Sequence, residues 1–541
     1  MRSPAVRITG RRLAVSLFLL ATLLASCGES GPLPFLPTPK PTPEQPREVT
    51  VVVLQRDTDL PVAGASLEAD GATAVTGEDG RAVLVAMRGA SVEVVADGYD
   101  AASVPVPADG DLTLELRPNV VSGVVTDGAG KPIKGARVFV DGSQAMVRTD
   151  ARGRYTLGGV PEEGSLIYKM AGYRLGVIPI DAEMVKEVAL EPFAVRALYA
   201  PGAVFEGAGR LDELLALIDR TEANALVIDV KETDGWLYYE TDLPAAVAAG
   251  SDKRPIFDLA ELLPALRERG IYLVARMVVM KDNTVGVSRP ELAVRNSATG
   301  EPWRDYGGGV WLDPYNPGVA EYIAAIAGDL AAKGFDEVQL DYVRFFSDGD
   351  YSVAEPNLPN TQSLRLPAIR RLFRLVSGEL ATTRAFFAAD VFPISFIAPD
   401  DQGIGQRPEV IMPYVDYFSP MVYPSHYAAG TFGFAVPNNH PYEIIDETLQ
   451  IMNDQAAGLP IVIRPWIQDF GLPPVPRYSA AQVRAEMQAL TDNGAVGWMI
   501  WHAAAHFTEA ALGPPREGEE YAPITSAAGS AASSAAPSAS P

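Results

Sequence analysis

From residue 194 to about residue 510 the chain alternates short runs of β-branched, aromatic and aliphatic residues with longer amphipathic runs, and that alternation limits the fold more than any other feature. The candidate strands are 195–199, 225–231, 271–280, 337–345, 385–392, 417–423, 461–466 and 497–501. Helical stretches fall between them at 210–221, 258–269, 317–333, 363–382, 441–452 and 480–492. Eight strands with intervening crossovers predict a closed α/β TIM (β/α)8 barrel, because an open doubly wound sheet has no reason to stop at eight. The functional groups of such a barrel are expected at the carboxyl ends of its strands.

Side chains on a strand alternate between faces, so if Val338 and Leu340 pack against helices, Gln339 and Asp341 point into the barrel. The same alternation turns Asp229 inward against Leu226, Ile228 and Val230, and Asp390 inward with Ala388. It places Arg276, Tyr423 and Gln468 on the axis near their strand ends. Buried unpaired charges are costly, so these inward polar residues are best explained as one site. Asp341 and Asp390, on the fourth and fifth strands, are the first choice for a catalytic carboxylate pair. Glycosidic hydrolysis needs one carboxylic acid to protonate the leaving oxygen and one carboxylate to stabilise the anomeric centre or activate water. The competing expectation is that either aspartate serves only as structural partner of Arg276 or Arg344. Asp229, Glu232 and Asp469 stand in reserve, and Arg276 is read as a group that binds a carboxylate or a sugar hydroxyl.

All six tryptophans, Trp236, Trp303, Trp311, Trp466, Trp498 and Trp501, fall in the barrel segment, where flat aromatic faces suit sugar rings. Trp498 reads as core, whereas Trp311 and Trp501 read as substrate contacts. His502 and His506 have the i, i+4 spacing of a metal helix, but three alanines separate them, and no general-base Glu or third ligand accompanies them. No metal or other cofactor is therefore expected, and His502 is read as a hydrogen-bonding residue at a strand end. A net charge of −24 argues against a nucleic-acid partner, whose binding needs clustered cations.

The amino end has a different logic. Arg2, Arg7, Arg11 and Arg12 precede an apolar run from Leu13 to Ala25, the order of an export signal and too short for a comfortable membrane span. Leu24-Ala25-Ser26-Cys27 resembles a bacterial lipobox, which implies a signal peptide over 1–26 and lipidation of Cys27. Cys27 is the only cysteine, so no disulfide framework is available. A proline-rich stalk is expected over 27–47. A pattern then occurs twice: Pro61-Val62-Ala63-Gly64-Ala65 against Pro132-Ile133-Lys134-Gly135-Ala136, and Gly98-Tyr99 against Gly172-Tyr173, at offsets of 71 and 74 residues. Both copies resemble the carboxypeptidase regulatory-like β-sandwich, which implies two small all-β sandwich domains at 48–117 and 118–193, read as spacers. After the barrel at 194–513, an Ala/Ser/Pro tail over 514–541 is expected to be disordered.

Within the barrel, Asn224 to Lys231, Trp311-Leu312-Asp313-Pro314-Tyr315-Asn316-Pro317 and Gln339-Leu340-Asp341-Tyr342-Val343-Arg344-Phe345 resemble a bacterial glycoside hydrolase barrel family once catalogued as a domain of unknown function. Ala389-Asp390-Val391-Phe392 and Ser419-Pro420-Met421-Val422-Tyr423-Pro424 extend the resemblance. It implies a TIM barrel distantly similar to α-amylase-type hydrolases, with carboxylates after strands four and five, and brings Asp313 and Arg344 into the site. Asp390 stands where those enzymes carry Glu, and Gln339 where they carry Arg, so their mechanism does not transfer unchanged. The expectation is a surface-anchored glycoside hydrolase acting on a polysaccharide or cell-envelope glycan and held to the membrane by its lipid alone. The rival is a noncatalytic glycan-binding or envelope-structural lipoprotein. Two carboxylates across one cleft favour the first, and burial of each against its own arginine favours the second.

Overall fold

The computed structural model describes residues 45–472 and 477–525. The expected export signal, Cys27, most of the expected stalk and the chain beyond 525 lie outside the described residues. Among the described residues no helix is long and apolar enough to cross a membrane.

Two seven-stranded β-sandwiches come first, and their strand pairing is the same. In the first, Arg47–Gln55 pairs antiparallel with Arg81–Ala86 and parallel with Leu112–Leu116. In the second, Val120–Asp127 pairs antiparallel with Arg154–Gly158 and parallel with Val185–Leu190. Each faces a four-stranded sheet. Strict alternation produces these sandwiches: Val49, Val51 and Val53 are buried while their neighbours are wetter, so one face of the strand is core.

The barrel strands run Val195–Ala200, Ala225–Lys231, Tyr272–Val278, Glu337–Asp341, Phe386–Val391 and Tyr417–Pro420, then a seventh in two pieces, Val462–Ile463 and Trp466–Gln468, and finally Gly497–Trp501. All neighbours are parallel. The break in the seventh strand falls at Arg464-Pro465 and lets it serve both sides. Its first piece pairs with the sixth strand and its second with the eighth, and a bridge between Met421 and Trp466 completes the circle. Pro465 has no N–H to give, but its carbonyl accepts from Met499 N at 3.0 Å. The eighth strand opens on Gly497, in the left-handed region, where a Cβ would lie 2.0 Å from the Val195 carbonyl oxygen. Only glycine lets the last strand close on the first.

Leu226, Ile228, Val338 and Leu340 belong to the core between sheet and helices, whereas Ala197, Val227, Val274, Ala388 and Met499 form the core inside the barrel. The expected inward and outward faces are thus the observed ones. Several strands are shorter than predicted, the fourth most of all: it stops at Asp341, where Tyr342 takes a left-handed conformation (φ 55°) and turns the chain out of the sheet.

The second sandwich is docked on the amino-terminal end of the barrel and is more than a spacer. Arg137 Nη2 lies 2.5 Å from Asp416 Oδ1, next to the start of the sixth strand. Buried Lys169 donates to the carbonyls of Leu380 (3.2 Å), Thr383 (3.0 Å) and Ala385. Residues 514–525 correct the expectation that disorder begins at 514. Tyr521 packs on Phe193 and Tyr272, Ile524 bridges to Gly176, and Arg174 donates to the carbonyls of Gly518 and Glu520. Two apolar anchors and paired backbone groups repay the ordering of this segment.

Candidate active site

The amino-terminal end being covered, the opposite rim carries the polar cluster, and Arg276 at the end of the third strand is its centre. Its Nη1 donates to Asp229 Oδ1 (2.5 Å) and Glu232 Oε1 (2.8 Å), and its Nη2 to Asp341 Oδ2 (2.5 Å). Its Nε lies 3.8 Å from Asp390 Oδ2. The two candidate aspartates therefore share one arginine instead of having one each, and Arg344 contacts neither. Asp341 Oδ1 also accepts the Tyr342 N–H at 2.6 Å, and Asp390 Oδ1 accepts the indole N–H of Trp466 at 2.7 Å. Strand four delivers Asp341 and strand five Asp390 because each is an inward position at a carboxyl end.

These groups line two adjoining cavities. One, of 410 Å³, is bounded by Asp341, Asp390, Tyr423 and His426 with an apolar wall of Phe392, Ile394, Met421 and Trp466. The other, of 450 Å³, is bounded by Asp229, Glu232, Asp234, Tyr199 and Tyr238, with Arg254. Arg276, Tyr342 and Trp501 belong to both. Burial, then the charge of Asp341, push the Asp390 carboxyl well above its ordinary range, and Arg276 and the Trp466 hydrogen bond offset only part of this. Burial raises Asp229 to about 7 against the pull of Arg276. Glu232 ends below its ordinary value: burial raises it, but the Arg276 guanidinium outweighs burial. Two carboxyls that favour the neutral form beside a buried guanidinium give the cleft both a proton donor and fixed positive charge.

Of the expected contacts, Asp229, Glu232, Arg276, Asp341, Asp390, Tyr423 and Trp501 line this cleft. Others line neither cavity, and their partners explain why. Trp311 is buried, its indole N–H on Asp305 at 2.9 Å, so it anchors the glycine-rich loop and does not face a ligand. Asp313 is spent on the backbone N–H groups of Tyr315 (2.9 Å) and Asn357 (2.6 Å). Arg344 lies among the rings of Trp311, Tyr342 and Phe392, 4.7, 5.1 and 5.2 Å from their centroids. Gln468 ties Ser425 N (3.1 Å) to the Phe470 carbonyl (2.8 Å), and Asp469 accepts from Thr508 N at 2.6 Å and Oγ1 at 2.7 Å. His502 Nδ1 accepts the N–H groups of Ala504 and His506, each at 3.2 Å. These residues hold the rim loops together. Among the described residues no three His, Cys, Asp or Glu are gathered to hold a metal ion.

Sequence reasoning missed Trp466, Phe392, Tyr199 and Tyr342 as site residues. Tyr199 was legible: it lies inward at the end of the first strand, donates to Asp229 and stacks on Trp501 with centroids 4.0 Å apart. Tyr342 was not, since alternation sends it outward and only its backbone turn brings it to the rim.

A carboxypeptidase regulatory-like domain model matches residues 120–190. No curated protein matches the chain. Among solved structures, a hypothetical protein from Ruminiclostridium thermocellum is 31% identical, over 36% of this chain and 97% of that one, with a TM-score of 0.30. The glycoside hydrolase domain of PgaB (BpsB) from Bordetella bronchiseptica is 16% identical, over 60% of this chain and 99% of that one, with a TM-score of 0.40. The glycoside hydrolase domain of PelA from Pseudomonas aeruginosa is 13% identical, over 58% and 96%, with a TM-score of 0.33. The family model described as "Putative glycosyl hydrolase domain" matches residues 197–507, more than half of the chain, and the protein belongs to that family.

Proposed function

We propose that the barrel hydrolyses a glycosidic bond of a polysaccharide, with Asp390 as general acid and Asp341 as the carboxylate at the anomeric carbon. The observation that carries this reading is the sharing of Arg276 by two carboxyl groups from adjacent strand ends in one cavity. Asp390, whose burial favours its proton, gives that proton to the leaving oxygen as the bond to the anomeric carbon breaks. Asp341, already an acceptor on both oxygens, meets the positive charge that develops there, and a water completes the reaction by bonding its oxygen to the anomeric carbon and returning a proton to Asp390. Family membership supports the reaction class. Release of reducing ends from a polysaccharide panel tests the assignment: Asp341→Asn and Asp390→Asn should each lower the rate by about 10²- to 10⁴-fold. Equal release by wild type and both variants would overturn it.

The near-complete burial of the pair, 6% exposed for Asp341 and 1% for Asp390, favours a second reading, a glycan-binding barrel without turnover. That reading predicts saturable binding of a panel member with no release of reducing ends. The expected location, outside the cell membrane on a lipid at Cys27, is part of the proposal. Cys27→Ala should move the protein from the membrane to the soluble fraction, and unchanged partition would remove the anchor.

A further inference from the structure

Tyr342 has a backbone conformation that strand geometry does not account for. An L-residue with φ 55° is strained by roughly 1–2 kcal/mol, and an aromatic residue there is uncommon. Such strain persists only where surrounding contacts impose it, and it gathers at ligand sites. Here the Tyr342 N–H is tied to Asp341 at 2.6 Å, its carbonyl accepts the Arg344 N–H at 2.8 Å, and the Arg344 guanidinium lies against its ring. The turn carries the ring from the helix side, where alternation would put it, to the boundary of both cavities. Among the described residues its hydroxyl has no hydrogen-bond partner, and it is not sealed from solvent.

The cavities on its two sides differ in chemistry. The Asp390 side has an apolar wall, and the other has Asp229, Glu232 and Asp234 against Arg254. Each is of ordinary small-ligand size, and they share Arg276, Tyr342 and Trp501 as lining residues. We propose that Tyr342 is a sugar-binding divider over which one glycan chain passes, leaving units in both cavities, so that the barrel engages internal positions of the chain and not only its ends. The tyrosine face supplies the apolar platform, and its free hydroxyl a hydrogen bond to the sugar above it. This rests on the glycoside hydrolase reading for its ligand class, but its test is a binding measurement.

Calorimetry on the full chain carrying Asp341→Asn, which suppresses turnover, would use hexasaccharides of β-1,4-linked glucose, β-1,4-linked N-acetylglucosamine and α-1,4-linked glucose, with the matching disaccharides. At least one hexasaccharide should bind. Adding Tyr342→Ala should weaken it by about tenfold, equivalent to ~1.4 kcal/mol, with a smaller effect on the disaccharide, which is too short to bridge the cavities. Adding Tyr342→Phe, which keeps the ring and the packing, should restore most of the loss. Thermal unfolding checks the strain: Tyr342→Gly should be more stable than Tyr342→Ala, the reverse of the usual order. Unchanged hexasaccharide affinity in Tyr342→Ala, equal losses in Ala and Phe, or no binding by any hexasaccharide would overturn the proposal. If binding depends on Tyr342 while wild type releases no reducing ends, hydrolysis fails and the divider stands. Hydrolysis with Tyr342-independent binding gives the opposite result.

Discussion

The indole N–H of Trp466 donates to Asp390 Oδ1 at 2.7 Å, a hydrogen bond to a buried carboxyl group that also lies in the fields of Asp341 and Arg276. Trp466 reaches it only because the seventh strand breaks at Arg464-Pro465, which brings its second piece beside Met421. A donor bonded to a carboxylate favours the charged form, so this bond holds the Asp390 value below where burial alone would put it. Trp466→Phe should therefore raise it further. The alkaline limb of the kcat/KM profile, which reports the essential acid of the free enzyme, should move to higher pH. An unmoved or lowered limb would remove Asp390 from the role of acid.

Asp229 makes stability depend on pH. Its value is raised from 3.8 unfolded to about 7 folded, so between those values the folded state holds a proton that the unfolded state has released. Stability from this group is full below pH 3.8 and declines as pH rises towards 7. The urea midpoint should be lower at pH 8 than at about pH 5, and Asp229→Asn should shrink the difference. A difference unaltered by Asp229→Asn would mean that the group is not raised.

At the opposite end of the barrel interior, Arg464 forms a two-pronged pair with Glu337, both fully buried, with Tyr272 donating to the same carboxylate at 3.1 Å. Removing one partner leaves the other charge unpaired. Glu337→Gln or Arg464→Met alone should cost about 3–5 kcal/mol in denaturant unfolding. The Glu337→Met, Arg464→Met double variant should recover much of that loss. Costs that simply add would show that the pair is uncoupled.

Docking of the second sandwich rests on few but buried contacts. Lys169→Met removes the ammonium from three carbonyls near the start of the fifth strand, and Arg137→Ala strands Asp416. In the native protein the sandwich and barrel should unfold in one thermal transition. Either variant should split it or make the segment after the sandwich, near residue 193, susceptible to limited proteolysis. Persistence of one transition and native proteolysis in both variants would show that the interface does not couple the domains.

The sequence by itself determined the alternation of strands and helices, the repeated sandwich and the face on which Asp229, Asp341 and Asp390 lie, because each follows from a local period that residues within a few positions impose. It did not determine partners. Gln339 reads as an inward polar residue much as Asp341 does, yet it only reaches Ser419 and Met499, at 3.4 Å each, and Glu337, at the start of the same strand, belongs to an ion pair at the other end. That Arg276 serves four carboxyl groups, and that a broken strand closes the barrel and seats Trp466 on Asp390, were decided by contacts between residues tens to hundreds of positions apart, whereas Tyr342 turns back to the rim through a local left-handed turn that strand alternation does not foresee. A strand's period says which way a side chain points. Only closure of the cylinder says what it meets there.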